Sequence, residues 1–123
     1  MNSKVTMALR IILGLILIIF GANKFAGFMP APELPEAASN FFKALNNTGY
    51  MFKFIGAVEI IIGLLLVINK WVPLILIILA SLTANFLLFH INLAPAGIGP
   101  AAIVAVLNII LIYANWNKFK PLF

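Results

Sequence analysis

Cysteine is absent from the 123 residues, which removes disulfides, zinc thiolate sites and any thiol relay from consideration. Redox chemistry involving this chain therefore has to come from a bound cofactor or a partner. Histidine occurs once, too few for both axial ligands of a haem, and no cluster of carboxylates and imidazoles marks a metal site. Charge is scarce too: 9% of the residues are charged and only three are acidic. Neither a phosphate-binding glycine loop nor a nucleophile beside a base is found. A self-sufficient enzyme is not expected.

What the chain has in abundance is apolar side chain, 64% of all residues, with a mean hydropathy well above that of a soluble domain. The net charge of +5 does not point to nucleic acid, because the lysines stand at the ends of apolar runs, where they act as membrane anchors and topology signals. Four such runs cover residues 5–25, 51–68, 71–90 and 100–116. Each approaches the ~20 residues that cross ~30 Å of hydrocarbon as an α-helix. They are continuous rather than alternating, and too long for spanning strands. The expected fold is an all-α membrane protein, a four-transmembrane-helix bundle formed as a single domain over residues 1–123. Lys4 and Arg10 precede the apolar block of the first run as in a signal peptide. No A-x-A pattern follows, so a retained helix is expected.

The connections follow from punctuation. Asn69, Lys70, Trp71 and Pro73 predict a tight turn between the second and third runs, with Pro73 tolerated in a first helical turn. Pro95, Gly97, Gly99 and Pro100 predict an uncharged loop between the third and fourth. The long connection, residues 26–50, opens on Pro30, Pro32 and Pro35. Ala38, Phe41, Phe42 and Leu45 then share one helical face, which predicts a short interfacial helix lying on the bundle like a lid. The glycosylation pattern at Asn46, Asn47 and Thr48 directly precedes a span and carries no weight. Four spans place both termini and Lys70 on one side with Lys4, Arg10, Lys118 and Lys120, against Lys24, Lys43 and Lys53 with Glu33 and Glu36 on the other. That bias predicts cytoplasmic termini, with Arg10 reaching to the headgroups.

Polar groups placed inside hydrocarbon are costly and mark function. A charge at a span's centre costs about 2.5–3.5 kcal/mol, so Glu59 requires a partner. At 1.5 Å per residue, Glu59 and Asn108 both lie ~12 Å below the outer face, Asn85 about 9 Å below it, Lys24 at a similar depth, and His90 at the face itself. Lys24 follows Gly14 and Gly21 along one helical stripe, and Glu59 stands between Gly56 and Gly63 on another. Glycines beside polar groups let backbones approach closely. These positions predict a Lys24–Glu59 ion pair supported by Asn85 and Asn108, beneath a rim of Asn23, His90 and Asn92. The competing reading treats the asparagines as inter-helix glue, the pair as purely structural, and His90 as a residue bonded to loop carbonyls.

The same residues carry a family resemblance. Arg10-Ile11-Ile12-Leu13-Gly14-Leu15, Phe20-Gly21-Ala22-Asn23-Lys24-Phe25 and Gly27-Phe28-Met29-Pro30 resemble the first helix of the DoxX family of small bacterial membrane proteins. Thr48-Gly49-Tyr50, Gly56-Ala57-Val58-Glu59, Val72-Pro73-Leu74, Asn85-Phe86-Leu87-Leu88-Phe89-His90 and Pro121-Leu122-Phe123 follow in register. The second helix departs from the pattern, reading Ile60-Ile61-Ile62-Gly63 where relatives often carry paired glycines. The resemblance implies a four-helix inner-membrane protein and, for some relatives, membership of redox assemblies linked to quinol oxidation or thiosulfate-to-quinone electron transfer. It transfers no catalytic residue.

The leading functional expectation is a non-catalytic or accessory subunit of a quinone-linked assembly. Its ligand-binding residues would be Asn23, Lys24, Glu59, Asn85, His90 and Asn108, because such groups around an apolar cavity suit a carbonyl head on an apolar tail, quinone-like or lipid-like. A small transporter is the first alternative, disfavoured because neither a broken helix nor an inverted repeat is visible. An assembly factor for another membrane protein is the second. The expected surroundings are the lipid bilayer, a redox partner subunit and further copies of the chain, with no nucleic acid.

Overall fold

A computed structural model describes residues 2–27 and 33–123. Pro30, Pro32 and the Phe28-Met29-Pro30 portion of the family pattern lie outside them. All regular structure among the described residues is helical. The helices are α1 (Ser3–Ala26), α2 (Glu36–Asn47), α3 (Met51–Val67), α4 (Val72–Leu93), α5 (Ile98–Ala114) and the short α6 (Trp116–Phe119), with 3-10 turns at Pro95–Gly97 and Lys120–Leu122. α1, α4 and α5 with its preceding turn are each long and apolar enough to cross a membrane. α2 and α3 meet that test together, bent by 90° at the break between them.

Two packed pairs organise the bundle, α1 against α3 and α4 against α5. The first pair is antiparallel and held at backbone distance. A Cβ on Gly63 would stand 2.5 Å from the Gly14 carbonyl oxygen, and one on Gly21 would stand 2.6 Å from that of Gly56. Each glycine lies seven residues from the next on its own helix, so the close approach recurs on one face. Leu13 and Leu17 of α1, Ile62 and Leu66 of α3, Leu76 and Leu79 of α4 and Leu111 of α5 fill the shared core, all 2% exposed or less. The outward faces of α1, α3 and α5 are largely apolar, as hydrocarbon requires.

The turn after α3 satisfies every carbonyl of the last helical turn. Asn69 adopts φ +60°, a left-handed conformation that asparagine tolerates, and its N–H donates to Leu66 O while that of Lys70 donates to Leu65 O. The Arg10 guanidinium donates to the carbonyls of Leu66 and Val67. Arg10 therefore caps α3, favourably placed against the negative end of the helix dipole, instead of reaching to the headgroups as the sequence suggested. Between α4 and α5 the expected loop shrinks to Ala94 and one 3-10 turn. Gly99 and Pro100 belong to the first turn of α5, where a missing N–H costs no helical bond.

α2 lies on its apolar face across the N-terminal end of α3 and the C-terminal end of α4. Ala38 is fully buried, and its small side chain lets the helix sit close. The Phe42 ring packs 4.8 Å from Phe89 of α4 and 6.0 Å from Phe52 of α3. Phe41, 44% exposed, still reaches within 5.4 Å of Phe89.

Candidate functional site

The α1–α3 seam positions the most unusual residues of the chain. Gly21 and Gly56 bring the two backbones together, and a Cβ on Gly56 would come within 2.9 Å of the Lys24 Cβ. Glycine at 56 thus makes room for the lysine stem. One turn further on, Lys24 Nζ lies 2.7 Å from Glu59 Oε1, the ion pair that the spacing along both helices predicted. The Glu59 side chain is 2% exposed and that of Lys24 20%, so the carboxylate is sealed in the bundle while the lysine side chain reaches toward its surface. Lys24 Nζ is the one polar partner of Oε1 among the described residues.

An aromatic roof covers the pair. Lys24 Nζ stands 5.8 Å from the centre of the Phe52 ring, a cation–π contact. Phe52 continues through Phe42 to Phe89, whose ring meets the His90 imidazole edge-on at 5.0 Å. Sequence reasoning missed Phe52. It lies seven residues before Glu59 on the stripe that contains Gly56 and Gly63, so helical phase carried the signal. A cavity of about 220 Å³ opens beside the roof, lined by Asn46, Gly49, Tyr50, Phe52 and Lys53.

The other expected site residues divide among separate environments. Asn23, in the same turn as Lys24, is partly buried, and its backbone carbonyl accepts the closing hydrogen bond of α1 from Gly27 N–H at 2.8 Å. His90 Nδ1 stands 3.2 Å from the Ala94 carbonyl oxygen, at the end of α4. Asn108 is 2% exposed but belongs to the α4–α5 interface. Its Oδ1 accepts from Thr83 Oγ1 at 3.1 Å, and its Nδ2 donates to Leu76 O at 3.3 Å. Among the described residues no hydrogen bond joins Asn108 to Glu59, although the two were expected in one supporting layer. Thr83 was also missed. A lone hydroxyl in an apolar run gives little sequence signal. Asn85 faces outward and donates to Ser81 O of its own helix at 3.0 Å. Asn92, expected in the rim, similarly donates to Leu88 O at 2.8 Å. No group of three or more potential metal ligands occurs among the described residues.

The arrangement offers two adjacent functions toward the C-terminal end of α1: a cation able to donate and a carboxylate able to accept. The Phe52 ring covers the cation and the bundle interior encloses the carboxylate, which strengthens any polar contact made there. Fold and site together define an all-helical membrane bundle with a buried Lys–Glu pair. The chain belongs to the DoxX family, whose sequence pattern it matches over residues 5–92, from α1 to the end of α4. Comparison with curated proteins and with solved structures found no match.

Proposed function

We propose that this protein is a non-catalytic membrane subunit whose Lys24–Glu59 pair receives the polar head of a quinone-like or lipid-like molecule. The observation that carries this reading is a buried carboxylate whose polar partner is a lysine with a side chain one-fifth exposed. A head-group carbonyl can accept from Lys24 Nζ while Glu59 behind it holds the ammonium in place. The cavity beside Phe52, about 220 Å³, is smaller than the ~300 Å³ at which pockets for whole small molecules begin. It adjoins the pair through the Phe52 ring, lined by neither Lys24 nor Glu59, and suits part of a head group held by Lys24, leaving an apolar tail along the outside of the bundle. Lys24 is the direct contact in this proposal and Glu59 its buried counter-ion. Asn23 borders them, His90 stands at the far end of the ring series, and Asn85 and Asn108 serve elsewhere.

The proposed setting is a quinone-linked assembly of a bacterial plasma membrane, the context that the family resemblance implies. α3 completes a fourth span in this reading and α2 lies along the outer surface, as its polar composition favours. With Arg10 and Lys24 occupied inside the bundle, the exposed lysines number four at the end with the termini (Lys4, Lys70, Lys118, Lys120) and two at the other (Lys43, Lys53). That distribution favours cytoplasmic termini.

Native mass spectrometry of the gently extracted protein, with quinone and lipid extraction of the same sample, tests the proposal. The wild type is expected to retain one small molecule, and the charge-balanced Lys24→Met/Glu59→Leu variant to lose it while remaining folded. An empty wild type, or a double variant that keeps the molecule, would overturn the reading.

A further inference from the structure

In-span side chains turned away from the bundle meet acyl chains, and on three of the four long helices they are apolar. Ile12 and Ile19 of α1, Ile61 of α3 and Ile109 of α5 are examples. α4 differs. Among its exposed positions, Leu74, Ile78, Ser81, Asn85, Leu88 and Asn92 follow one another at alternating intervals of four and three, a spacing compatible with a seam that packs against another helix. Three polar residues lie in that series, Ser81 and Asn85 within it and Asn92 at its end, where the outward faces of the other long helices carry hydrocarbon.

Depth sharpens the anomaly. Asn85 lies about 12 Å inside the outer end of α4, counted at 1.5 Å per residue from Leu93. Ser81 Oγ donates to Ile78 O at 2.8 Å and Asn85 Nδ2 to Ser81 O at 3.0 Å, so both turn back upon their own helix. No other hydrogen bond reaches the Asn85 carboxamide among the described residues. Its oxygen, an acceptor for two bonds, is thereby left to hydrocarbon, which is costly.

We propose that this face of α4 pairs with α4 of a second copy of the chain. Copies inserted in the same orientation can pair only about an axis along the membrane normal, which sets each residue of the seam against itself at equal depth. A carboxamide suits that geometry because it is both donor and acceptor, so two Asn85 side chains satisfy one another. The seam carries no charge, so self-pairing meets no repulsion. Ser81 and the adjoining exposed Ala84 are small and let the helices approach, and Leu74, Ile78 and Leu88 extend the contact on either side. The inference is independent of the Lys24–Glu59 reading, which concerns a different face.

The absence of cysteine makes the test direct. Ser81→Cys and Leu88→Cys, oxidised separately in the membranes of the expressing cell, are expected to give disulfide-linked dimers, and Ile109→Cys on the lipid face of α5 is expected to remain monomeric. Adding Asn85→Leu to Leu88→Cys is expected to weaken association about threefold to tenfold, the range for an interhelical hydrogen bond in a membrane, and Asn85→Gln to restore it. Unchanged circular dichroism of the Asn85→Leu protein shows that the bundle itself is intact, as an outward position requires. Equal cross-linking at position 109, indifference to Asn85→Leu, or capture of a different protein at positions 81 and 88 would each overturn pairing between copies.

Discussion

Lys24→Met removes the one cation beside a carboxylate that is 2% exposed. A bare charge in the middle of a span costs about 2.5–3.5 kcal/mol, and breaking a buried pair from one side costs about 3–5 kcal/mol. The one-fifth exposure of Lys24 places this case at the lower end, so a loss of about 3 kcal/mol is expected. Glu59→Leu should be milder, near ~1 kcal/mol, because the orphaned ammonium can extend along its flexible stem toward the outer surface. The double variant buries neither charge and should return to within about 1 kcal/mol of the wild type. The resulting coupling is roughly 3–4 kcal/mol, well above the few tenths that separate independent sites. Equilibrium unfolding in mixed micelles titrated with dodecyl sulfate, followed by far-ultraviolet circular dichroism, measures all four proteins. Costs that simply add in the double variant would refute the coupling, and a Glu59→Leu loss larger than that of Lys24→Met would refute the assigned asymmetry.

Gly63→Ala is expected to cost about 1–3 kcal/mol in the same unfolding assay, because the new methyl meets the Gly14 carbonyl at 2.5 Å and Ile18 at 2.7 Å. Gly99→Ala, whose methyl meets nothing within 4 Å, is the matched control and should be nearly neutral. Arg10→Leu strips the charged donor from Leu66 O and Val67 O, an expected loss of about 1.5–3 kcal/mol. It should also accelerate amide hydrogen exchange in the last turn of α3 and at Asn69 and Lys70. Thr83→Val leaves Asn108 Oδ1 without its donor, with an expected loss of about 1 kcal/mol. Thermal aggregation of the purified protein should begin at a lower temperature in that variant.

The helices were legible because continuous apolar runs have few alternatives, and the Lys24–Glu59 pair because glycine spacing set a helical phase on both partners. The docking face of α2 was equally readable, since a polar helix with one apolar stripe announces its inner side. Asn85 was not, for the converse reason. α4 carries large apolar side chains on every side, so its pattern does not distinguish the core from the lipid, and depth alone placed Asn85 near Glu59. Arg10 eluded the sequence because a cation at the edge of a span suits headgroups and the end of a neighbouring helix equally well. Only the antiparallel register of α1 and α3 brings it beneath the final carbonyls of α3. Asn108 was correctly placed as an interior residue, but its partners come from α4, and sequence separation offered no means to choose them over Glu59.

The order of Lys24 and Glu59 along the chain bears on how the protein is made. α1 leaves the ribosome first and carries the cation, and α3 follows with the carboxylate, in a helix of only 17 residues. Insertion of α3 alone would carry an unmatched acid into hydrocarbon. With α1 already in place, the acid enters beside a waiting counter-ion and the glycine faces lock the two helices at a single register. Nascent chains halted before Met51 should therefore hold α1 stably in the bilayer, whereas α3 supplied without α1 should slip back into water. On the proposed four-span reading, α1 acts as a template for the insertion of α3.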